Sequence, residues 1–301
     1  MARPTITYLD PPRLASLPAE RAQLEYSSRS LVFAKDGQRL LRAWGTPDRP
    51  WALAVEPAGS RWRVEAWGAG PPEARAAARA LFSLDHPLEA FYRLVRREPI
   101  LRGTERRFRG LRIPRDPSVY ESLLHAVIGQ QLSVRAARAV QLRLFERTRS
   151  VLEAGGIEVP CVPSPAALRA LGTDGLRASG MSRAKARTLL ALADWAPAAP
   201  RSEELARAPL DEAVATLDAL PGVGPWTAEN ALLRGVGRPD VFVAGDLGIR
   251  VGLDEYGGPA RTAPEAEARA WAARHYPGWG SYATLYLWRK LVDDRSAAAT
   301  G

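Results

Sequence analysis

Residues 217–250, LDALPGVGPWTAENALLRGVGRPDVFVAGDLGIR, decide how this chain is read. Leu210, Ala213, Val214 and Leu217 recur at helical spacing, and the chain then meets Pro221-Gly222-Val223-Gly224. Pro225 suits the first position of a new helix, where its missing N–H costs nothing. The segment therefore predicts a helix, a tight hairpin and a second helix. Without Cβ atoms, Gly222 and Gly224 can take unusual φ/ψ and bring backbone N–H groups close to a phosphate, while the dipole of the following helix favours negative charge. This makes an anion site without side chains, although a bare PGxG also serves as an ordinary interhelical turn. Further on, Asp246 stands in Gly-Asp-Leu-Gly, a context that suits the N-cap of a helix over 247–253.

Taken together, residues 220–224 (LPGVG), Thr227-Ala228 and residues 241–246 (VFVAGD) resemble the helix-hairpin-helix DNA glycosylase superfamily, in which such motifs occur in this order and the aspartate is catalytic. The resemblance implies that Asp246 is the catalytic carboxylate and that Gly222, Val223, Gly224 and Thr227 contact DNA. Members that also cleave the strand carry a lysine just before Thr-Ala, as a Schiff-base nucleophile. Here that residue is Trp226, which resembles the AlkA-type, monofunctional branch. The same resemblance implies a base pocket of Trp226 and Trp288, with Asn230 and Tyr282 as further lining. Asn230 stands where the best-known member has a tyrosine. In some relatives a monovalent ion sits under the hairpin; the matching carbonyls here belong to Asp218, Leu220 and Val223, and no other cofactor is implied.

The segment HAVIGQQLSVRAA, residues 125–137, resembles the loop with which AlkA-type enzymes enter DNA. Gln130, Gln131, Leu132 and Ser133 are the candidates for DNA contact, with Gln131 or Leu132 filling the gap left by a flipped nucleotide. The residues alone also allow glutamines that satisfy backbone groups at a helix junction, with Ser133 capping the next helix. Before that junction, Asp116-Pro117 predicts a helix start, and Tyr120, Leu123, Leu124, Val127 and Ile128 share its core face. Ser182 reads as another cap, followed by Arg183, Lys185 and Arg187, which either meet phosphate or form a solvated face.

Composition agrees with a polyanionic partner. The 42 Lys+Arg exceed 33 Asp+Glu, for a formal charge of +9, and the pI is near 10.2. A single cysteine, Cys161, excludes an intrachain disulfide and the four-cysteine iron–sulfur cluster of the endonuclease III branch. In its Pro-rich loop it reads as a small hydrophobe. His86, His125 and His275 have no metal-ligand spacing. The amino terminus shows no leader and no run of 18 apolar residues occurs, so a soluble, intracellular protein is expected, at the nucleoid if the cell is bacterial.

The fold class expected is α+β. Residues 1–86 predict an antiparallel sheet-and-helix domain: runs flanking Asp36-Gly37 and a Pro-Ala-Gly-Ser turn read as hairpins, and residues 72–84 as a covering helix. Residues 87–293 predict the helical glycosylase domain, and residues 294–301 a disordered tail. The function expected is a monomeric, monofunctional glycosylase acting on alkylated purines in double-stranded DNA. The same superfamily acting on hypoxanthine, uracil or an oxidised purine, or a catalytically silent binder of damaged DNA, are the alternatives.

Overall fold

The computed structural model describes residues 3–18 and 33–300, and within them the molecule is α+β. Strands β1 (Thr5–Leu9), β2 (Phe33–Asp36), β3 (Arg39–Thr46), β4 (Arg49–Ala58) and β5 (Arg61–Trp67) form an antiparallel sheet in the order β1-β5-β4-β3-β2. Gly37 and Gly59, at φ 56° and 65°, turn the two expected hairpins; residues 30–32 of the first lie outside the described residues. Helix α1 (Pro71–Leu81) lays Ala74, Ala77, Ala78 and Leu81, one helical stripe, on Leu53, Val55, Trp62 and Val64 of one sheet face.

The helical part contains α2 (Leu88–Val95), α3 (Val119–Gly129), α4 (Val134–Thr148), α5 (Pro165–Ala178), α6 (Arg183–Trp195), α7 (Leu210–Asp218), α8 (Pro225–Ala231), α9 (Leu247–Glu255), α10 (Glu265–His275) and α11 (Gly280–Thr300), with short turns between them. Helix α3 runs through the middle, every residue from Val119 to Ile128 buried. No helix among the described residues is long and apolar enough to cross a membrane.

Three expectations need correction. The region from residue 87 is not all helical: strands β6 (Val151–Ala154) and β7 (Ile157–Pro160) form a hairpin that packs Ala154 and Val159 on Leu41, Ala43, Ala52 and Ala54, covering the second sheet face. Gly155 and Gly156, at φ 59° and 82°, make its turn; a Gly-Gly pair between short β-rich runs was the available signal. Asp116 does not cap α3. Ser118 does, its Oγ accepting the Glu121 N–H at 3.2 Å, because fully buried Arg42 of β3 draws both Asp116, at 3.4 Å, and Glu121 into an ion-paired cluster. A guanidinium without water needs carboxylates more than a helix end needs this aspartate. Asp116, Glu121 and His125 lie close enough to suggest a metal site, but Arg42 supplies the cation there. Finally, the expected disordered tail is the end of α11, fastened by Arg295 to Glu255 at 2.6 Å and by Asp294 to Arg107, Tyr256 and Lys290.

Candidate active site

The hairpin between α7 and α8 is closed by its own backbone. Gly222 has φ 81°, and a Cβ there would run into Thr188 Oγ1 of α6, so both conformation and packing require glycine. Gly224 departs from the expected unusual geometry: its φ of −109° is open to any residue. What distinguishes it is empty space, since a Cβ at Gly224 would meet nothing within 4 Å. Val223 is buried and its N–H donates to the Leu220 carbonyl at 3.0 Å. Thr227 is also buried; its Oγ1 accepts from Gln130 Nε2 at 3.0 Å, and the same amide donates to the Gly222 carbonyl at 3.0 Å. Gln130 is thus an internal strut between the loop after α3 and the hairpin, as the backbone-satisfying reading of the glutamines anticipates.

Gln131 behaves differently. It is exposed at φ 54°, in the left-handed region that a non-glycine residue enters at a cost of about 1 kcal/mol or more, and Leu132 beside it is 40% exposed. Ser133 then caps α4 by accepting the Ala136 N–H at 3.2 Å. Beneath this loop, Lys185 Nζ donates to the carbonyls of Ile128 at 2.9 Å and Gln130 at 2.7 Å, and burial lowers its pKa. The ammonium caps the C-terminal end of α3, where the dipole favours a cation. Arg183 and Arg187 stay exposed. Nothing in the sequence spacing tells Lys185 from its neighbours; only the packing of α6 against α3 does.

Asp246 caps a helix and meets both indoles. Its Oδ1 accepts the Ile249 N–H at 3.1 Å as the N-cap of α9, and also Trp288 Nε1 at 2.8 Å. Its Oδ2 accepts Trp226 Nε1 at 3.1 Å. The carboxylate is therefore held between the N–H edges of two indoles, with all three side chains part-exposed. Gly248 leaves them room: a Cβ there would stand 3.2 Å from Oδ1 and 3.5 Å from the Trp288 ring. The tip of the Trp226 ring reaches the end of α3, 4.0 Å from the Cβ position of Gly129. Arg234 lies over the Trp288 ring at 5.8 Å.

Two expected pocket residues are placed otherwise. Tyr282 is fully buried among His86, Phe91 and Trp279, its hydroxyl 2.9 Å from His86 Nδ1. Burial, then Arg115 and Arg112, lowers the pKa of this histidine to about 4, so it is neutral. Tyr282 and Trp288 are separated by six positions on α11, which a 3.6-residue period puts on different faces. Asn230 is buried and donates to the Trp226 carbonyl at 2.9 Å, bracing the turn that carries the indole. Burial raises the pKa of the Cys161 thiol to about 11, which leaves it protonated and inert, as its loop context predicts.

Residues 124–274, which carry the loop after α3, the hairpin, Trp226 and Asp246, match the HhH-GPD superfamily base excision DNA repair protein. The chain belongs to the HhH-GPD superfamily. Similar members include a Mycobacterium tuberculosis protein described as "Probable bifunctional transcriptional activator/DNA repair enzyme AlkA", 37% identical over 72% of this chain and 42% of that protein. The chain thus spans less than half the length of that relative. The Escherichia coli "DNA-3-methyladenine glycosylase 2" is 32% identical over 60% of each chain. In fold, the HhH-GPD chain is similar to a "3-methyladenine dna-glycosylase from Archaeoglobus fulgidus", with TM-score 0.81 and 24% identity over 95% of this chain and 98% of the other. That coverage takes in the N-terminal sheet as well as the helical part.

Proposed function

We propose that the chain is a DNA glycosylase that hydrolyses the N-glycosidic bond of alkylated purines, 3-methyladenine and 7-methylguanine, in double-stranded DNA and leaves an abasic site. The observation that carries this reading is the Asp246 carboxylate held between Trp226 and Trp288 beside a helix-hairpin-helix. Breaking the bond builds positive charge on the sugar, which a fixed carboxylate stabilises while orienting or deprotonating the attacking water. Because the indole N–H edges hold Asp246, their faces are the surfaces left for a base, and Arg234 lies over one face of Trp288. An alkylated purine is cationic, so stacking contributes up to about 2 kcal/mol when desolvated, and the same charge makes it a better leaving group.

The target reaches this site by leaving the duplex, which costs roughly a few kcal/mol and less for a damaged base. Gln131, held outward, or Leu132 fills the gap, Gln130 ties that loop to the hairpin, and Gly222 and Gly224 let phosphate approach. The reading is of a monomer without strand cleavage: Trp226 replaces the Schiff-base lysine, Lys185 caps α3 and Lys290 pairs with Asp294 at 3.0 Å. A monovalent ion at the carbonyls of Asp218, Leu220 and Val223 would add positive charge beneath the bound phosphate. The Leu220 carbonyl accepts one N–H and keeps a second lone pair for it.

The test is base release from methylated duplex DNA. Release of 3-methyladenine and 7-methylguanine with no adduct trapped by borohydride is expected; no release, or a trapped adduct, overturns the reading. Affinity for abasic-site duplex should fall with salt at a log–log slope of about −0.9 per phosphate neutralised, and a flat dependence would contradict it.

A further inference from the structure

Behind the carboxylate and its two indoles, three charged side chains meet. Glu229 of α8 has 5% of its side chain exposed, and its Oε1 accepts from Arg269 Nε of α10 at 2.8 Å. The other oxygen, Oε2, is buried without a hydrogen-bond partner. Arg269 also donates through its NH2 group to Glu265 Oε2 at 3.0 Å. The Glu265 carboxylate in turn occupies the space beside Gly245, where a Cβ would stand 3.0 Å from its Oε1. Glu229 lies one helical turn after Trp226, and Gly245 immediately precedes Asp246.

Arg269 therefore ties α8, which carries one indole, to α10, whose Glu265 carboxylate lies against the residue before Asp246. A buried carboxylate with one oxygen unsatisfied is a poor source of stability, whereas a planar guanidinium with donors in a fixed fork sets the distance between two acceptors. We propose that Arg269, clamped by Glu229 and Glu265, is a positioning residue that fixes Asp246 against Trp226 for the base release proposed above, on which this inference rests. Burial, against the pull of Arg269, raises the Glu229 carboxyl to about 7, so its charge on Arg269 is present above neutrality and lost below it. Arg269 and Glu265 are the charged groups that act on it. Its own helix carries no other ionisable side chain; Glu121 of α3 turns to Arg42 and to His125 on the same helix, Arg234 in the turn after α8 lies over Trp288, and Asp211, Glu212 and Asp218 of α7 are exposed.

The test compares the native chain with Glu229→Gln and Arg269→Met. Glu229→Gln keeps an acceptor for Arg269 but mimics the protonated acid. Single-turnover base release by the native chain should exceed that of Glu229→Gln about 10-fold near pH 8.5, and the ratio should shrink to about 1 near pH 6. Affinity for abasic-site duplex should stay within about twofold, because the DNA contacts are untouched. A ratio that does not change with pH overturns the inference, and a native chain that releases no base overturns the function instead. Independently of activity, the indole N–H resonances of Trp226 and Trp288, assigned through Trp226→Phe and Trp288→Phe, should shift or broaden in Arg269→Met. Unmoved resonances would show that Arg269 does not position Asp246.

Discussion

Replacing Asp246 by asparagine is expected to do two separable things. The carboxylate accepts three N–H donors, two on Oδ1 and the Trp226 indole on Oδ2. Asparagine has one acceptor oxygen; placed at Oδ1, it drives its NH2 group against the Trp226 N–H, donor against donor. A hydrogen bond to a charged group contributes roughly 1.5–3 kcal/mol, and because this site is part-exposed, water takes over some of the loss, leaving about 1–2 kcal/mol. Trp226→Phe removes the opposing N–H. In that background Asp246→Asn should cost less, with a coupling of about 1 kcal/mol in a double-mutant cycle read by urea unfolding. Base release should instead fall about 10²–10⁴-fold in both backgrounds, the scale of a lost acid–base and charge-stabilising group. Equal stability costs in the two backgrounds would refute the indole–carboxylate bond as the clamp. Release that survives Asp246→Asn within about threefold would refute the carboxylate as the catalyst.

Four further outcomes are expected. Gly222→Ala should destabilise the fold by more than about 1 kcal/mol, since φ 81° and Thr188 both oppose a side chain, whereas Gly224→Ala should leave unfolding unchanged and weaken binding to abasic-site duplex. Lys185→Met removes the cap from the Ile128 and Gln130 carbonyls; hydrogen exchange over residues 128–132 should rise, with a loss of about 1–3 kcal/mol. Arg42→Met leaves Asp116 and Glu121 buried without their cation, and thermal unfolding should report a loss of about 3–5 kcal/mol. For Glu229, the folded chain holds a proton that the unfolded chain releases between the ordinary carboxylate range and about pH 7. Stability should therefore fall as pH rises through that window, by up to about 3 kcal/mol, and Glu229→Gln should remove the slope in urea midpoints.

The turn at Gly222, though not the geometry expected of Gly224, the caps at Ser133, Ser182 and Asp246, and the core face of α3 were legible because each depends on neighbours within a few residues. Family motifs likewise singled out Trp226, Asp246 and Trp288. Local reading failed where a distant partner competes. Asp116 looks like a cap until Arg42, far off in sequence, arrives to claim it. The Gln130 amide is taken up by Thr227 and the Gly222 carbonyl, and the rotation of α11 turns Tyr282 to His86.

By itself, then, the sequence determined the helix-hairpin-helix, the superfamily and the cap at Asp246, because periodicity, turn residues and motif order are properties of contiguous chain. Only the tertiary structure decided that the carboxylate is gripped by two indoles, that Lys185 supports the loop after α3 and that Glu229 of α8 meets Arg269 of α10. Those are contacts between segments separated by tens of residues, and which donor finds which acceptor is set by how helices pack, a choice that no local spacing encodes.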